Sequence, residues 1–259
     1  MIGIYFSGTG NTKYCVEKFI KEVDNDAKAY SIEDEQAVLE IQKHNKIVFG
    51  FPTQFSNLPK IVKDFIFDNQ AIWKDKEIYC LVTMGLFSGD GAGLLTRFIK
   101  PFGSHTLGGL HLKMPDCICD EKLLKRSIEE NKQLIAKADD KIKSAALQFK
   151  MGNYAQEGIG FLYHLCGLFG QRLYFYNKTK NYSDKLKIDK TKCIVCGLCA
   201  QVCPKQNIKL NANIVEASNQ CAMCYRCVNK CPTQAITLLG KKVIQQGSIE
   251  KYLDKDLKG

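Results

Sequence analysis

Cys193-Ile-Val-Cys-Gly-Leu-Cys-Ala-Gln-Val-Cys203-Pro204 is followed, 28 residues on, by Cys221-Ala-Met-Cys-Tyr-Arg-Cys-Val-Asn-Lys-Cys231-Pro232. Both runs read Cys-x2-Cys-x2-Cys-x3-Cys-Pro, and the match continues into Ile208-Lys-Leu210 and Ile236-Thr-Leu238. A two-copy repeat of this kind predicts a module with pseudo-two-fold symmetry. Three thiolates two residues apart can wrap one iron–sulfur cubane, while the fourth cysteine, before the proline, points away to the other cluster. Cys193, Cys196, Cys199 and Cys231 are therefore expected on one [4Fe–4S] cluster, and Cys221, Cys224, Cys227 and Cys203 on a second. Gly197 leaves room for backbone close to sulfide, and Pro204 and Pro232 fix the turn after each fourth ligand. Zinc ribbons, by contrast, use two Cys-x2-Cys pairs separated by a longer stretch.

These residues resemble the bacterial two-cluster ferredoxins over roughly 185–241. Short strands flank the runs: Leu186–Ile188, Ile208–Leu210, Ile214–Glu216 and Ile236–Leu238, the middle two joined across Asn211-Ala-Asn.

Upstream the pattern changes. Strand candidates Ile2–Phe6, Ala27–Ile32, Lys46–Phe51, Glu77–Met84 and Leu107–Met114 alternate with helical segments Lys13–Val23, Glu35–His44, Pro59–Phe67 and Gly91–Phe102. A long charged helix, Lys122–Phe149, follows. Four of the five strands are apolar runs, as buried parallel strands are. Five βα units predict an α/β fold, a doubly wound five-stranded parallel sheet that takes its ligand at the carboxyl ends of its strands.

At the first such end lies Ser7-Gly8-Thr9-Gly10-Asn11-Thr12, a hydroxyl- and glycine-rich loop opening onto a helix. Backbone amides at that helix start, with the hydroxyls, can cradle a phosphate. The loop is neither a Walker A nor a G-x-G-x-x-G loop. It contains no lysine or arginine, so it suits a phosphate monoester held by neutral donors. An ordinary βα turn is the plainer alternative for this loop taken alone.

The loop resembles the FMN-phosphate loop of flavodoxins. Two further loops correspond to that family's flavin-contacting loops: Pro52-Thr53-Gln54-Phe55 after the third strand, and Thr83-Met84-Gly85-Leu86-Phe87 after the fourth. The resemblance implies FMN, with its ring between these loops. Gln54 stands where an aromatic is often found, so stacking falls to Phe55 or Phe87, or that face is more open. The whole chain resembles fused flavodoxin–ferredoxin proteins, and Met114-Pro115-Asp116 also fits their pattern. The implied organisation is a flavodoxin-like domain over 1–150, a connector and linker over 151–184, a small α+β ferredoxin-like domain over 185–242 and a helical tail over 243–259.

The connector contains Gly158-Ile-Gly-Phe-Leu-Tyr-His-Leu-Cys-Gly-Leu-Phe-Gly170, too short and interrupted for a membrane span. With Phe161, Leu165 and Leu168 at helical spacing it reads as a packed connector rather than a membrane-surface helix. The polar stretch 178–185 reads as the final linker. Of 13 cysteines, the five outside the repeat read as buried small hydrophobes. An exposed redox thiol in Cys117-Ile-Cys119 is the alternative there. His44, His105, His111 and His164 form no metal-binding spacing, and no nucleophile–base pair stands out.

The formal charge is +10. Residues 180–240 hold nine Lys/Arg against three Asp/Glu. Two cubanes and a phosphate, at about −2 each, would bring the total to about +4. The excess thus reads as counter-charge to cofactors and as a surface for acidic redox partners, not as a nucleic-acid site, which would interleave basic and aromatic residues on one face. The start Met1-Ile-Gly-Ile-Tyr-Phe6 carries no secretory pattern, and cysteines used as ligands suit a reducing compartment; the expectation is a cytoplasmic protein. The function expected is electron transfer between two clusters and FMN. The alternatives are a flavin-dependent oxidoreductase acting on a quinone- or nitro-type substrate, and a metal-stabilised binding module without a redox role.

Overall fold

The computed structural model describes residues 1–169, 173, 182–212 and 214–253. Strands β1 (Ile2–Tyr5), β2 (Ala29–Ser31), β3 (Lys46–Pro52), β4 (Glu77–Met84) and β5 (His105–Lys113) form one sheet in the order β2-β1-β3-β4-β5. Every pairing in it is parallel. Side chains alternate across it. Ile47, Phe49, Phe51, Ile78, Cys80 and Val82 join one core with Ala37 and Ile41 of α2 (Gln36–Lys43), Ile61, Val62 and Ile66 of α3 (Lys60–Asp68), and Leu95 and Ile99 of α4 (Gly91–Ile99). Val48, Tyr79, Leu81, Leu110 and Leu112 face the other way. They pack on Val16, Phe19 and Ile20 of α1 (Asn11–Val23) and on Ile135, Ile142 and Phe149 of α5 (Ile128–Lys150). A sheet covered on both faces explains why its strands are continuous apolar runs rather than alternating ones.

The long helix read over 122–149 is divided. Lys122–Leu124 makes one 3-10 turn, and α5 starts afresh at Ile128. The break has a local cause. Ser127 Oγ accepts from the Glu130 amide at 3.1 Å while the Ser127 amide donates to Glu130 Oε2 at 2.7 Å, a capping box. The freed segment before it runs from β5 across to the second half.

That half contains two antiparallel pairs, β6 (Lys187–Ile188) with β9 (Ile236–Thr237) and β7 (Ile208–Asn211) with β8 (Ile214–Ala217). Short helices α7 (Leu198–Gln201) and α8 (Arg226–Lys230) lie 28 residues apart. The repeat extends to the backbone: positive φ occurs at Val195 and Met223, at Gly197 and Tyr225, and at Gln206 and Gln234. Each pair is again offset by 28.

The core of this half, including Ile208, Val215, Met223, Val228 and Ile236, also takes in Cys119 from the segment after β5. In return, Ile249 and Tyr252, near the end of the described chain, are buried against α1 and α5. The helical tail read over 243–259 is one 3-10 turn, Ile249–Lys251, within its described part; residues 254–259 lie outside the described residues. Helix α6 (Phe161–Gly167) covers part of the connector, where His164 Nδ1 meets Asp90 Oδ2 at 2.9 Å. Most of the segment from 170 to 181, with the start of the expected linker, lies outside the described residues. Among the described residues no helix is long and apolar enough to cross a membrane.

Candidate functional site

The three loops expected at the strand ends converge. Thr12 Oγ1 and Thr83 Oγ1 share a buried hydrogen bond of 2.7 Å, which ties the first loop to the fourth strand. The Thr53 amide donates to Thr83 O at 2.9 Å, and Asn11 Nδ2 donates to Pro115 O at 2.7 Å. Together the loops enclose a cavity of about 530 Å³. Ser7, Gly8, Thr9, Asn11, Thr12, Pro52, Thr53, Gln54, Phe55, Thr83, Met84, Gly85 and Phe87 all line it. Gly10 does not. It stands in the left-handed region (φ 91) at the start of α1 and faces a shallower cavity of about 400 Å³ on the loop's outer side.

The cavity suits a flavin phosphate ester on two grounds. Ser7 Oγ is buried without a partner among the described residues, a donor held ready near a helix start whose first amides have no partner within the helix. The walls are mixed, with the hydroxyls of Thr9, Thr12, Thr53 and Thr83 beside the apolar side chains of Phe55, Met84, Met114 and Ile118.

Phe55 and Ser56 both carry positive φ, 49° and 56°, and Gln54 and Asn57 exchange backbone hydrogen bonds at 3.1 and 2.9 Å. This is a tight turn of the mirror-image type without the Asn-Gly or Asp-Gly that signals it, and it stores backbone strain of order 1 kcal/mol per residue. It aims Phe55 at the second half, where its ring stacks on Tyr182 (centroids 6.5 Å apart, planes at 24°). Phe87 sits at the lip and is 42% exposed. Gln54 turns its amide to the second half, donating to Ala222 O at 2.8 Å and Met223 O at 3.3 Å. The residue in the expected aromatic position is a docking group.

The far wall of the cavity comes from the cysteine repeat: Met223, Cys224, Tyr225 and Leu239. A Cβ on Gly8 would lie 2.1 Å from Cys224 O, so only glycine lets the Ser7–Thr12 loop approach the cysteine run this closely. Three side chains from α8 and its N-cap complete the junction. Tyr225 Oη donates to Asp120 Oδ1 at 2.9 Å. Arg226 donates to Ser7 O at 2.8 Å and pairs with Glu33 at 2.6 Å. Asn229 Nδ2 donates to Cys117 O at 2.8 Å. In the first repeat the same positions hold Gly197, Leu198 and Gln201. Comparing the two copies position by position was the signal for these residues, which sequence reasoning missed.

The cysteines of the repeat surround two separate small cavities. Cys203, Cys221, Cys224 and Cys227 line one; Cys193, Cys196, Cys199 and Cys231 line the other. Amides of Asn207 and Ala235, themselves 28 apart, donate to Cys203 Sγ and Cys231 Sγ, both at 3.3 Å. Such donors stabilise charge on a ligating sulfur. The first cavity adjoins the large one through Cys224. The second opens outward, where Cys196 is exposed and Ile194 is 63% exposed.

Burial drives the titratable groups nearby. The His111 imidazole is pushed down to about 4 by burial and bonds Ser88 Oγ through Nδ1 at 2.7 Å, bracing the loop after β4. Burial raises the Asp116 carboxyl within the cavity wall, against the pull of an amide bond from Ile118 at 2.9 Å. The Cys119 thiol is pushed up to about 12 and Cys117 is raised as well, in each case mainly by burial. Neither is a reactive thiolate at neutral pH.

Among family models, one described as a flavodoxin domain matches residues 2–96, and one described as a 4Fe-4S dicluster domain matches residues 185–232. A flavodoxin domain implies FMN, and the second domain implies iron–sulfur cluster chemistry; together they support a redox, electron-transfer role. No curated protein matches the chain. Solved structures similar to it include two-electron reduced flavodoxin from Megasphaera elsdenii, at 21% identity over 57% of this chain and 99% of that one (TM-score 0.42). Oxidised flavodoxin 2 from Bacillus cereus matches at 17% identity over 58% and 97% (TM-score 0.43). Flavodoxin from Fusobacterium nucleatum bound to flavin mononucleotide matches at 18% over 58% and 96% (TM-score 0.41).

Proposed function

We propose that this fusion of an N-terminal flavodoxin domain and a C-terminal 4Fe-4S dicluster domain passes electrons within one chain between FMN and two [4Fe–4S] clusters. Clusters carry single electrons and a flavin handles one or two, so the pair can collect electrons singly and deliver them together. Ser7 to Thr12 would hold the phosphate, and the loops at Pro52–Phe55 and Thr83–Phe87 the ring. Cys203, Cys221, Cys224 and Cys227 would hold the cluster nearer the flavin. Cys193, Cys196, Cys199 and Cys231 would hold the outer one, which receives electrons from an acidic redox partner.

The observation that carries this reading is the shared wall. Met223, Cys224 and Tyr225 line the same cavity as the flavodoxin loops, so the donor and acceptor sites of this reading adjoin one another. The test is rapid reduction of the clusters in the anaerobic holoprotein, followed by flavin absorbance at several protein concentrations. A rate independent of concentration is expected. A rate proportional to concentration would mean that electrons pass only between molecules.

One observation favours a second reading, reduction of a small apolar acceptor such as a quinone. Leu86 and Phe87 are 47% and 42% exposed at the cavity lip, and Leu123 is 88% exposed beside them. Steady-state turnover with quinones or nitro compounds separates the two: a carrier shows none above the rate of free FMN.

A further inference from the structure

Arg226 lies between Cys224 and Cys227 in sequence, yet most of its guanidinium contacts are to the other half. Nη2 donates to Ser7 O at 2.8 Å and Nε approaches Gly8 O at 3.4 Å. Nη1 donates to Val202 O at 3.2 Å, the residue before Cys203. Both terminal nitrogens also reach Glu33, at 2.6 and 2.8 Å, which fixes the fork in place. One side chain thus joins the phosphate loop, the loop carrying Cys224 and Cys227, and the turn carrying Cys203.

We propose that Arg226 is a positioning residue for the phosphate loop, and that retention of FMN is thereby linked to the folding of the 221–227 loop around its cluster. This rests on the reading that Ser7–Thr12 holds the FMN phosphate. In a trans peptide the C=O and N–H point in opposite directions. A cation that gathers Ser7 O and Gly8 O on one side turns the Gly8 and Thr9 N–H groups to the other. Several N–H groups turned the same way form an anion-binding concavity. Arg226 therefore contributes to phosphate binding without touching phosphate, which explains how a loop with no lysine or arginine can be organised for a dianion.

Two further features tie that orientation to the cysteine run. Gly8 is in contact with Cys224 O, so displacement of residue 224 displaces the loop. And the first repeat places Leu198 where the second has Arg226, so a cation here is not something the cluster fold itself demands. Linkage is reciprocal: whatever the ordered cluster loop adds to FMN binding, FMN adds to the retention of that cluster.

The experiment titrates flavin-stripped, cluster-loaded protein anaerobically with FMN and with riboflavin, which lacks the phosphate, following flavin fluorescence. Arg226→Gln should weaken FMN about tenfold or more and leave riboflavin unchanged; Arg226→Lys should fall between it and the parent. Should Arg226→Gln fail to fold, Glu33→Gln, which releases the guanidinium without removing it, should lower the FMN-to-riboflavin affinity ratio in the same direction. In the reciprocal arm, FMN but not riboflavin should slow iron release to a chelator in the parent protein. An unchanged ratio, or an equal loss for both flavins, overturns the linkage and leaves the cofactor reading standing. If the parent protein binds neither flavin, the cofactor reading falls and the linkage with it.

Discussion

Tyr225 donates its hydroxyl to Asp120 at 2.9 Å across 105 residues of chain, from a left-handed backbone (φ 59) that the first repeat gives to Gly197. A tyrosine in that region carries a steric penalty of roughly 1–2 kcal/mol that glycine avoids. The bond it makes is one of four. Asp120 also accepts from the amides of Leu238, Leu239 and Gly240 at 2.7, 3.0 and 3.1 Å, and it is 3% exposed. Burial further raises the Tyr225 phenol, which stays a donor at all ordinary pH.

Asp120→Ala should therefore be the most damaging change at the junction. It strands a hydroxyl and three amides in the interior, which costs roughly 3 kcal/mol or more. Tyr225→Phe removes one bond and should cost about 1 kcal/mol. Denaturant unfolding followed by cluster absorbance reads both. Equal losses for the two variants would contradict the central place given to the carboxylate.

The crossed ligation proposed above predicts which cluster a distant cysteine serves. Cys203→Ser should damage the cluster held by Cys221, Cys224 and Cys227 and spare the one formed by its sequence neighbours. Anaerobic, reconstituted parent protein should contain about eight irons per chain. About four in that preparation would refute two cubanes.

Thr9→Ala combined with Thr12→Ala should weaken FMN about tenfold, because two hydroxyls leave a loop without cationic side chains. Thr12 has a second role through its 2.7 Å bond to Thr83. Thr83→Val should accordingly reproduce part of the loss. Extraction of FAD rather than FMN from the native protein would contradict the single-phosphate reading of the loop.

The His111 imidazole, lowered to about 4 from an ordinary 6.5, makes stability depend on pH. The unfolded chain takes up the proton first. The contribution is therefore complete above about pH 6.5 and is lost as pH falls towards 4, by up to about 3 kcal/mol. His111→Gln should flatten the denaturation midpoint across that window. A midpoint of the parent protein that does not move between pH 7 and 4.5 would show that this imidazole is not buried neutral.

The sheet was legible because apolar runs and glycine-rich turns alternate at βα spacing, and the cysteine repeat because its ligand spacing admits few other uses. The junction was not. Gln54 reads as a departure from a flavin loop, whereas its amide serves Ala222 and Met223. Phe55 and Ser56 enter positive φ with no local signal, since tertiary packing on Tyr182 supplies what the sequence does not. Asp120 and Asn229 look like ordinary surface polar residues until the chain ends they bind, 238–240 and Gly247, are brought beside them. Ser127 is the exception: its partner is three residues away, and the break before α5 could have been found from Ser-x-x-Glu alone.

The exchange of core residues has a consequence for biosynthesis. Cys119 belongs by position to the first half but is buried in the second, while Ile249 and Tyr252 seal the α1–α5 face from the far end of the chain. As the chain emerges from the ribosome, amino end first, the sheet has all five strands long before Ile249 exists. Until then the Thr9 carbonyl lacks its donor and the Ser7–Thr12 loop lacks the side chain that packs on Gly10. The Ser7–Thr12 loop is thus completed only after the cysteine repeat and Ile249 beyond it have been made.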